Sequence, residues 1–216
     1  MHIPDGFIGP GTAVVTYAAS AGMVALGARK TRQELGERRV PLMGVMAAFI
    51  FAAQMINFKV AGGTSGHLLG AALAAILLGP WAGSLVITAV LIVQALIFQD
   101  GGIMALGANV LNMAVVGIWV AWGTYRGLGR LIPGERWLWP RAILAAWLSV
   151  VVAATAASLE LAISGVSPLS VVLPAMVGVH ILIGIGEGLI TGAVLAFVHA
   201  TRKDLLMAYA TGGGEG

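Results

Sequence analysis

The chain has 216 residues, of which 59% are hydrophobic and 10% are charged, whereas soluble domains carry about 25% charged residues. This composition excludes a soluble globular protein and predicts an integral membrane protein. The absence of cysteine excludes thiolate metal sites and disulfides, and the net charge of +3 does not indicate a nucleic-acid partner.

The chain opens with Met1-His2-Ile3-Pro4-Asp5-Gly6, and we interpret residues 1–10 as a metal-chelating segment. If Met1 is retained, its α-amino nitrogen, the His2 backbone nitrogen and His2 Nδ1 close a five-membered and a six-membered chelate ring. These nitrogens lie nearly in one plane because the peptide between them is planar. A fourth nitrogen would complete the square that Ni(II) or Cu(II) prefers. We expect Asp5 to accept a hydrogen bond from the far side of the His2 ring.

The alternative is a frayed, solvated chain end with an accidental histidine, and the six residues alone favour it. Retention of Met1 is expected because the next residue is bulky and because the sequence lacks the basic, then apolar, pattern of a cleaved signal peptide.

Apolar runs divide the rest of the chain into seven predicted membrane spans within a single transmembrane domain, residues 1–216. A full crossing needs roughly 20 residues, so the third, short span should be tilted or shielded by its neighbours. Gly79-Pro80 predicts a tight turn after it, and the Gly-rich tail 212–216 is predicted to be disordered. The seven predicted spans are 11–28, 41–58, 67–79, 81–98, 103–122, 141–163 and 171–198.

With seven spans, every Lys and Arg residue except Lys59 falls on one side of the membrane. Positive charge marks the cytoplasmic side of a membrane protein. The sequence therefore predicts an external N-terminus and a cytoplasmic C-terminus, so the chelating segment would face the outside.

The connection between the second and third spans is rich in Gly, Ser and Thr and ends at His67. It should lie on the same outer side as Met1, with its backbone folded against protein rather than lipid. Neutral histidine is the commonest metal ligand, so His67 is the candidate for the fourth nitrogen and residues 59–67 form the predicted metal-site loop. Taken alone, a histidine hydrogen-bonded to loop backbone is the more common situation.

Several motifs resemble the CbiM/NikM family, the substrate-specific S-components of energy-coupling-factor (ECF) transporters for nickel and cobalt. The resemblance covers nearly the whole chain. Its motifs are His2-Ile3-Pro4-Asp5-Gly6, Gly63-Thr64-Ser65-Gly66-His67, Asp100-Gly101-Gly102 and Leu106-Gly107 followed by Asn109 and Asn112-Met113.

The resemblance implies an all-α integral membrane fold of seven transmembrane helices, with the N-terminal segment tucked into the bundle. It implies that Met1, His2 and His67 bind the metal ion through four nitrogens. Supporting roles would fall to Asp5, Asn57, Thr64 and Ser65. The sequence Gly66-His67-Leu68-Leu69 differs from the Ser-His-Pro-Thr-like loop of many cobalt-type relatives, which favours nickel over cobalt as the substrate.

The family also implies partners: a transmembrane coupling subunit, ATPase subunits and a small accessory membrane subunit in a prokaryotic cytoplasmic membrane. The sequence has no Walker A motif, so we predict a transport subunit, not an enzyme, without a catalytic cofactor. Small residues on the first span, Ala18/Gly22 and Ala21/Ala25, would serve equally for a partner's close approach or for packing within the bundle.

Two rival functions remain. Intramembrane ionisable residues are functional candidates, and His180 and Glu187 lie seven apart on one helix face, so an intramembrane metalloenzyme is possible. The repeat Gly184, Gly188 and Gly192 on the same stripe predicts close packing against another helix, which favours a buried structural pair instead. Asn109 and Asn112 are expected to support the outer loops. The second rival, a vitamin-type or other solute-binding subunit, would need an aromatic-lined pocket, yet only 7% of residues are aromatic.

Overall fold

The structure, a computed structural model, describes residues 1–34, 40–60 and 64–210. Its helices and strands, in chain order, are α1 (Pro10–Glu34), α2 (Val40–Gln54), β1 (Asn57–Val60), β2 (Thr64–His67), α3 (Ala71–Val93), α4 (Leu106–Asn109), α5 (Ile118–Leu131), α6 (Leu138–Ile163), α7 (Leu169–Thr201) and α8 (Lys203–Ala210). A wider π-helical turn extends α3 to Phe98, and a second joins α4 to α5. The fold is all-α apart from one small hairpin.

Five helical stretches of the described residues are long and apolar enough to cross a membrane. Within such a helix every backbone group is satisfied internally, as a lipid environment requires. The stretches are Pro10–Gln33, Ala71–Phe98, Leu106–Leu131, Glu135–Ile163 and Leu169–Thr201, and α2 is a shorter apolar helix. The protein is therefore a multi-pass helical membrane protein.

The predicted turn at Gly79-Pro80 divides α3 into two halves. Gly79 has φ +79° and ψ 170°, which is not helical and is favoured by glycine. A Cβ built on Gly83 would lie 3.2 Å from the backbone carbon of Ala74, which is impossible in a straight helix with a rise of about 1.5 Å per residue. The chain reverses at Gly79, and the two halves correspond to the predicted segments 67–79 and 81–98.

The Gly repeat of α7 packs closely on α6. A Cβ on Gly184 would lie 2.9 Å from the Trp147 side chain, and one on Gly188 would lie 2.9 Å from Ile143. Small residues allow this close approach of two helix backbones in a membrane. The predicted tight packing of the stripe is confirmed, and it places His180 and Glu187 inside the bundle.

Several element boundaries differ from the sequence-based prediction. The predicted span 41–58 ends at Gln54 because the chain then forms the antiparallel hairpin of β1 and β2, in which Asn57 pairs with His67. The first helix is longer than predicted, and α8 was not predicted at all. Residues 61–63 of the metal-site loop and the tail 212–216 lie outside the described residues.

Candidate metal centre

The N-terminal segment is buried rather than frayed. Met1 and Ile3 have no exposed surface, and His2 is 3% exposed. Ile3 is held like a strand residue: its N–H donates to Asn109 Oδ1 at 2.8 Å, and its carbonyl accepts hydrogen bonds from Asn109 Nδ2 and from the backbone N–H of Gly102. These contacts fix the backbone immediately after His2, and they give Asn109 a supporting role.

Asp5 has a different partner from the one expected. Its carboxylate accepts hydrogen bonds from the backbone N–H groups of Ile103 and Met104, at 3.1 and 2.7 Å. The expected bond from Asp5 to the far side of the His2 ring is therefore wrong, because the turn at Pro4 directs Asp5 toward the loop after Phe98. Asp5 secures the N-terminal segment to that loop instead.

The loop fits around this segment because it carries glycine. A Cβ on Gly102 would lie 2.2 Å from Asp5 Oδ1 and 2.3 Å from the Asp5 backbone nitrogen. Gly101 has φ +95°, and a Cβ there would meet Asn109 at 3.1 Å. The sequence motif Asp100-Gly101-Gly102 is therefore the surface over which the N-terminal segment lies.

The structure brings His2 and His67 together. Their ring centroids are 4.4 Å apart, with 23° between the ring planes. Two imidazoles bound to adjacent corners of a square, with metal–nitrogen bonds of about 2.0 Å, have centroids about 4.5 Å apart. The separation fits a site in which His2 Nδ1 and His67 Nε2 occupy adjacent corners, with the His67 nitrogen opposite the His2 backbone nitrogen.

The hydrogen bonds of the two rings leave the required nitrogens available. His67 Nδ1 lies 2.7 Å from the Leu68 carbonyl, to which it can only donate, so Nε2 carries the lone pair. His2 Nε2 lies 3.1 Å from Gln94 Oε1, and a proton donated from Nε2 to this oxygen leaves the lone pair on Nδ1. Within the described residues, His2 Nδ1 and His67 Nε2 are buried without a hydrogen-bond partner, as expected for nitrogens that bind a metal ion.

Burial keeps these nitrogens unprotonated. Desolvation lowers the pKa of the Met1 amine from 8.0 to about 4, although the nearby charge of Asp100 opposes the shift. Desolvation, followed by the charge of the terminal amine, lowers the pKa of His2 from 6.5 to about 3. The same two causes hold the pKa of His67 well below its usual value. At neutral pH the three groups present lone pairs rather than protons.

The segment after His67 is held from two sides. Glu187 accepts hydrogen bonds from the backbone N–H groups of Leu69 at 2.7 Å and Gly70 at 2.6 Å, and Gln54 Nε2 donates to the Leu69 carbonyl at 2.7 Å. Gly70 is left-handed, with φ +75°, and a Cβ there would lie 2.9 Å from Ile50. The carboxylate also lies at the N-terminal end of α3, where the helix dipole favours negative charge.

His180 and Glu187 do not form the expected pair. His180 Nδ1 lies 2.7 Å from the Met176 carbonyl on its own helix, while both oxygens of Glu187 contact the backbone before α3. The structural role proposed for Glu187 agrees with these contacts. No hydrogen bond joins the two side chains in the described part of the chain.

Two contacts of His2 were not predicted: Gln94 was not named, and Asp100 was named only within the motif Asp100-Gly101-Gly102. Gln94 is fully buried against His2 Nε2, and Asp100 Oδ1 lies 3.3 Å from His2 Nδ1. The signal for Gln94 was a polar side chain within an apolar span. Asn57, Thr64 and Ser65 contribute backbone to the hairpin, and their side chains lie outside the described residues.

Within residues 1–34, 40–60 and 64–210, no three His, Asp or Glu side chains form a cluster that could hold a metal ion. The four-nitrogen arrangement does not require one, because two of its nitrogens are main-chain atoms. The fold and this geometry together define a polytopic helical membrane protein whose buried N-terminus lies beside a second buried histidine.

Comparison with known proteins agrees with this class. The family described as "cobalt uptake substrate-specific transmembrane region", CbiM, matches residues 2–205. The chain belongs to this family, in agreement with the resemblance noted in its motifs.

Relatives extend the similarity across the chain. A putative metal transport protein of Haloquadratum walsbyi is 42% identical over 95% of this chain and 93% of its own length. A putative fused nickel transport protein, NikMN, of Archaeoglobus fulgidus is 42% identical over 95% of this chain, which spans 68% of that protein. A crystal structure of a truncated transition metal transporter superposes with a TM-score of 0.87 at 36% identity, covering 93% of this chain and 99% of the other.

Proposed function

We propose that this chain is the substrate-binding subunit of a metal importer and that it captures Ni(II) in a square-planar site of four nitrogens. The ligands are the Met1 amine, the deprotonated His2 backbone nitrogen, His2 Nδ1 and His67 Nε2. The observation that carries the proposal is a pair of buried ring nitrogens, each without a hydrogen-bond partner among the described residues, on rings 4.4 Å apart beside a buried chain terminus.

The geometry favours nickel over zinc, and the sequence Gly66-His67-Leu68-Leu69 favours nickel over cobalt. An amine, an amide and an imidazole joined by two fused chelate rings impose a plane, and Ni(II) accepts square-planar nitrogen ligands. Tetrahedral Zn(II) does not fit such a plane. Co(II) is the alternative substrate, supported by the name of the family, whereas the Archaeoglobus fulgidus relative is named for nickel.

Transport requires partners. With the seven predicted spans, every Lys and Arg residue except Lys59 falls on the side opposite the chelate. Positive charge marks the cytoplasmic side, which supports an external N-terminus in a prokaryotic cytoplasmic membrane. We propose that residues 1–216 work as one transmembrane domain and dock on a coupling subunit whose ATPase partners drive reorientation. The names of the fused relatives support association with a further transport component.

The rival function, a metalloenzyme based on His180 and Glu187, has less support. Both oxygens of Glu187 accept hydrogen bonds from backbone N–H groups, which leaves the carboxylate committed to the segment after His67. His180 is the member of the pair that keeps a buried nitrogen without a hydrogen-bond partner among the described residues.

The proposal is tested by the nickel content of the purified chain in detergent. We expect His67→Ala to lose most of the bound nickel and the visible absorption band of a planar Ni(II) complex. The matched control is His199→Ala, because His199 lies at the other end of α7 against Trp139. Equal nickel content in His67→Ala and the parent protein would contradict the proposed coordination.

A further inference from the structure

The nickel-loaded site has a charge that the four ligands do not balance. Ni(II) carries two positive charges, and the deprotonated His2 amide supplies one negative charge. The Met1 amine and the two imidazoles bind as neutral ligands. The complex is therefore a cation with one net positive charge, enclosed by Met1, His2 and His67, all of which are almost fully buried. A buried charge without a counter-charge is strongly unfavourable.

One carboxylate lies beside this position. Asp100 Oδ1 is 3.3 Å from His2 Nδ1, and the Asp100 side chain is 17% exposed, against 3% for His2. Its negative charge also acts on the Met1 amine, since it opposes the fall in that group's pKa. Asp100 thus adjoins one of the four proposed nickel ligands, His2 Nδ1, and its charge acts on a second, the Met1 amine.

The other carboxylates near the N-terminal segment and His67 accept hydrogen bonds from backbone N–H groups. Asp5 accepts hydrogen bonds from the Ile103 and Met104 backbone, and Glu187 accepts them from the Leu69 and Gly70 backbone. Among the described residues around the site, Asp100 is therefore the carboxylate that faces the chelating nitrogens.

The backbone places Asp100 there at some conformational cost. The Asp100 N–H donates to the Gln94 carbonyl at 3.0 Å across the π-helical turn that ends α3. Gln99 adopts φ +54°, the one positive φ among the non-glycine residues that the structure describes, and Gly101 follows with φ +95°. A left-handed conformation is unfavourable for glutamine. The loop is thus shaped to direct residue 100 toward His2.

We propose that Asp100 is the counter-charge of the loaded site: it neutralises the planar Ni(II) complex without being one of its four ligands, and it thereby sets the affinity for divalent ions. The inference rests on the proposed function. Cu(II), which forms a complex of the same charge and plane, would depend on Asp100 to the same extent.

The experiment compares Asp100→Asn, Asp100→Glu and the parent chain by nickel titration in detergent. Asn keeps the shape of the side chain and removes its charge. We expect Asp100→Asn to weaken nickel and copper binding by a similar factor, about 10- to 100-fold, as is typical of groups that support metal ligands. We expect the planar absorption band to remain in the loaded protein. Asp100→Glu should recover most of the affinity.

The control for loss of a negative charge is Glu135→Gln, because Glu135 is exposed and pairs with Lys203 far from the site. An unchanged nickel affinity in Asp100→Asn would overturn the inference. So would loss of the planar band in the loaded variant, because Asp100 would then shape or supply the coordination itself. If the parent chain binds no nickel, the proposed function fails, which is a distinguishable result.

Discussion

The carboxylate of Glu187, in the middle of the last long helix, accepts a 2.6 Å hydrogen bond from the backbone N–H of Gly70. A second bond, from Leu69, makes the contact bidentate. Through these bonds α7 holds the chain two and three residues after His67. A residue deep within the bundle therefore controls the position of a proposed ligand.

Removing this acceptor should affect both stability and nickel binding. Glu187→Ala leaves two buried N–H groups without a partner, at a cost of about 1–3 kcal/mol each, and it releases the backbone that positions His67. Glu187→Gln keeps one acceptor oxygen and should lie between Ala and the parent protein. Thermal unfolding and nickel titration in detergent measure the two effects. A stability loss with unchanged nickel affinity would show that Glu187 does not position His67.

Gly102→Ala should displace the N-terminal segment. The new Cβ would overlap the Asp5 backbone nitrogen, 2.3 Å away in the present structure, so Met1 and His2 must move from the site. We expect a large loss of nickel with the helical bundle intact, measured by metal content and circular dichroism. The matched control is Gly123→Ala: Gly123 lies within α5, a Cβ there meets nothing within 4 Å, and alanine favours a helix. Retention of full nickel binding by Gly102→Ala would contradict a buried chelating terminus.

Gln94 should matter because it selects the ring tautomer of His2. Its Oε1 accepts the Nε2 proton at 3.1 Å and so leaves Nδ1 for the metal ion. We expect Gln94→Leu to weaken nickel binding by about 10- to 100-fold, in line with other groups that orient metal-binding histidines. Gln94→Glu retains an acceptor and should bind nickel more tightly than the Leu variant. Equal affinities for the two variants would show that the acceptor is not needed.

The pH dependence of nickel binding should reflect a site in which every ligand except the His2 amide is already deprotonated. With pKa values of about 4 for the Met1 amine and about 3 for His2, binding between about pH 6 and pH 8 displaces essentially only the His2 amide proton. Calorimetry in buffers of different ionisation enthalpy should give about one proton released per nickel ion. Release of two or more protons would mean that the amine or an imidazole is protonated before binding.

The same pKa values predict how the metal-free fold responds to acid. The unfolded chain takes up protons at the Met1 amine below its usual pKa of 8.0 and at His2 below 6.5, while the folded chain does not. The metal-free protein should therefore lose stability as the pH falls from about 8 toward about 4. Thermal unfolding of the metal-free chain across this range measures the trend, and acetylation of the terminal amine should weaken it.

Hydropathy and the positions of glycine and proline predicted much of the architecture. Apolar runs located the long helices because crossing a membrane requires long, internally hydrogen-bonded segments. Gly79-Pro80 predicted the reversal within α3, because glycine permits the required φ and proline cannot continue the preceding hydrogen bonds. The Gly repeat of α7 predicted the close packing on α6. These features depend on local sequence alone.

The partners of individual polar groups could not be predicted in the same way. Asp5 bonds to the 103–104 backbone and Gln94 to His2 because tertiary packing brings distant segments together, which spacing along the chain does not reveal. The sequence does not predict the hairpin of β1 and β2, because this Gly-rich connection lacks the β-branched alternation of a strand. The approach of His2 to His67 was predicted because chelate chemistry requires a fourth nitrogen and because the family resemblance implies the same ligands.

The central claim is that the free amine of Met1 binds the metal ion, and adding one residue before Met1 tests it most directly. The added residue converts the amine into an amide, whereas a residue added after Gly216 leaves the terminus free and serves as the control. A protease that cleaves immediately before Met1 regenerates the original end. The account predicts that the extended chain lacks nickel and the planar absorption band, and that cleavage restores both. Full nickel content in the extended chain would contradict the account.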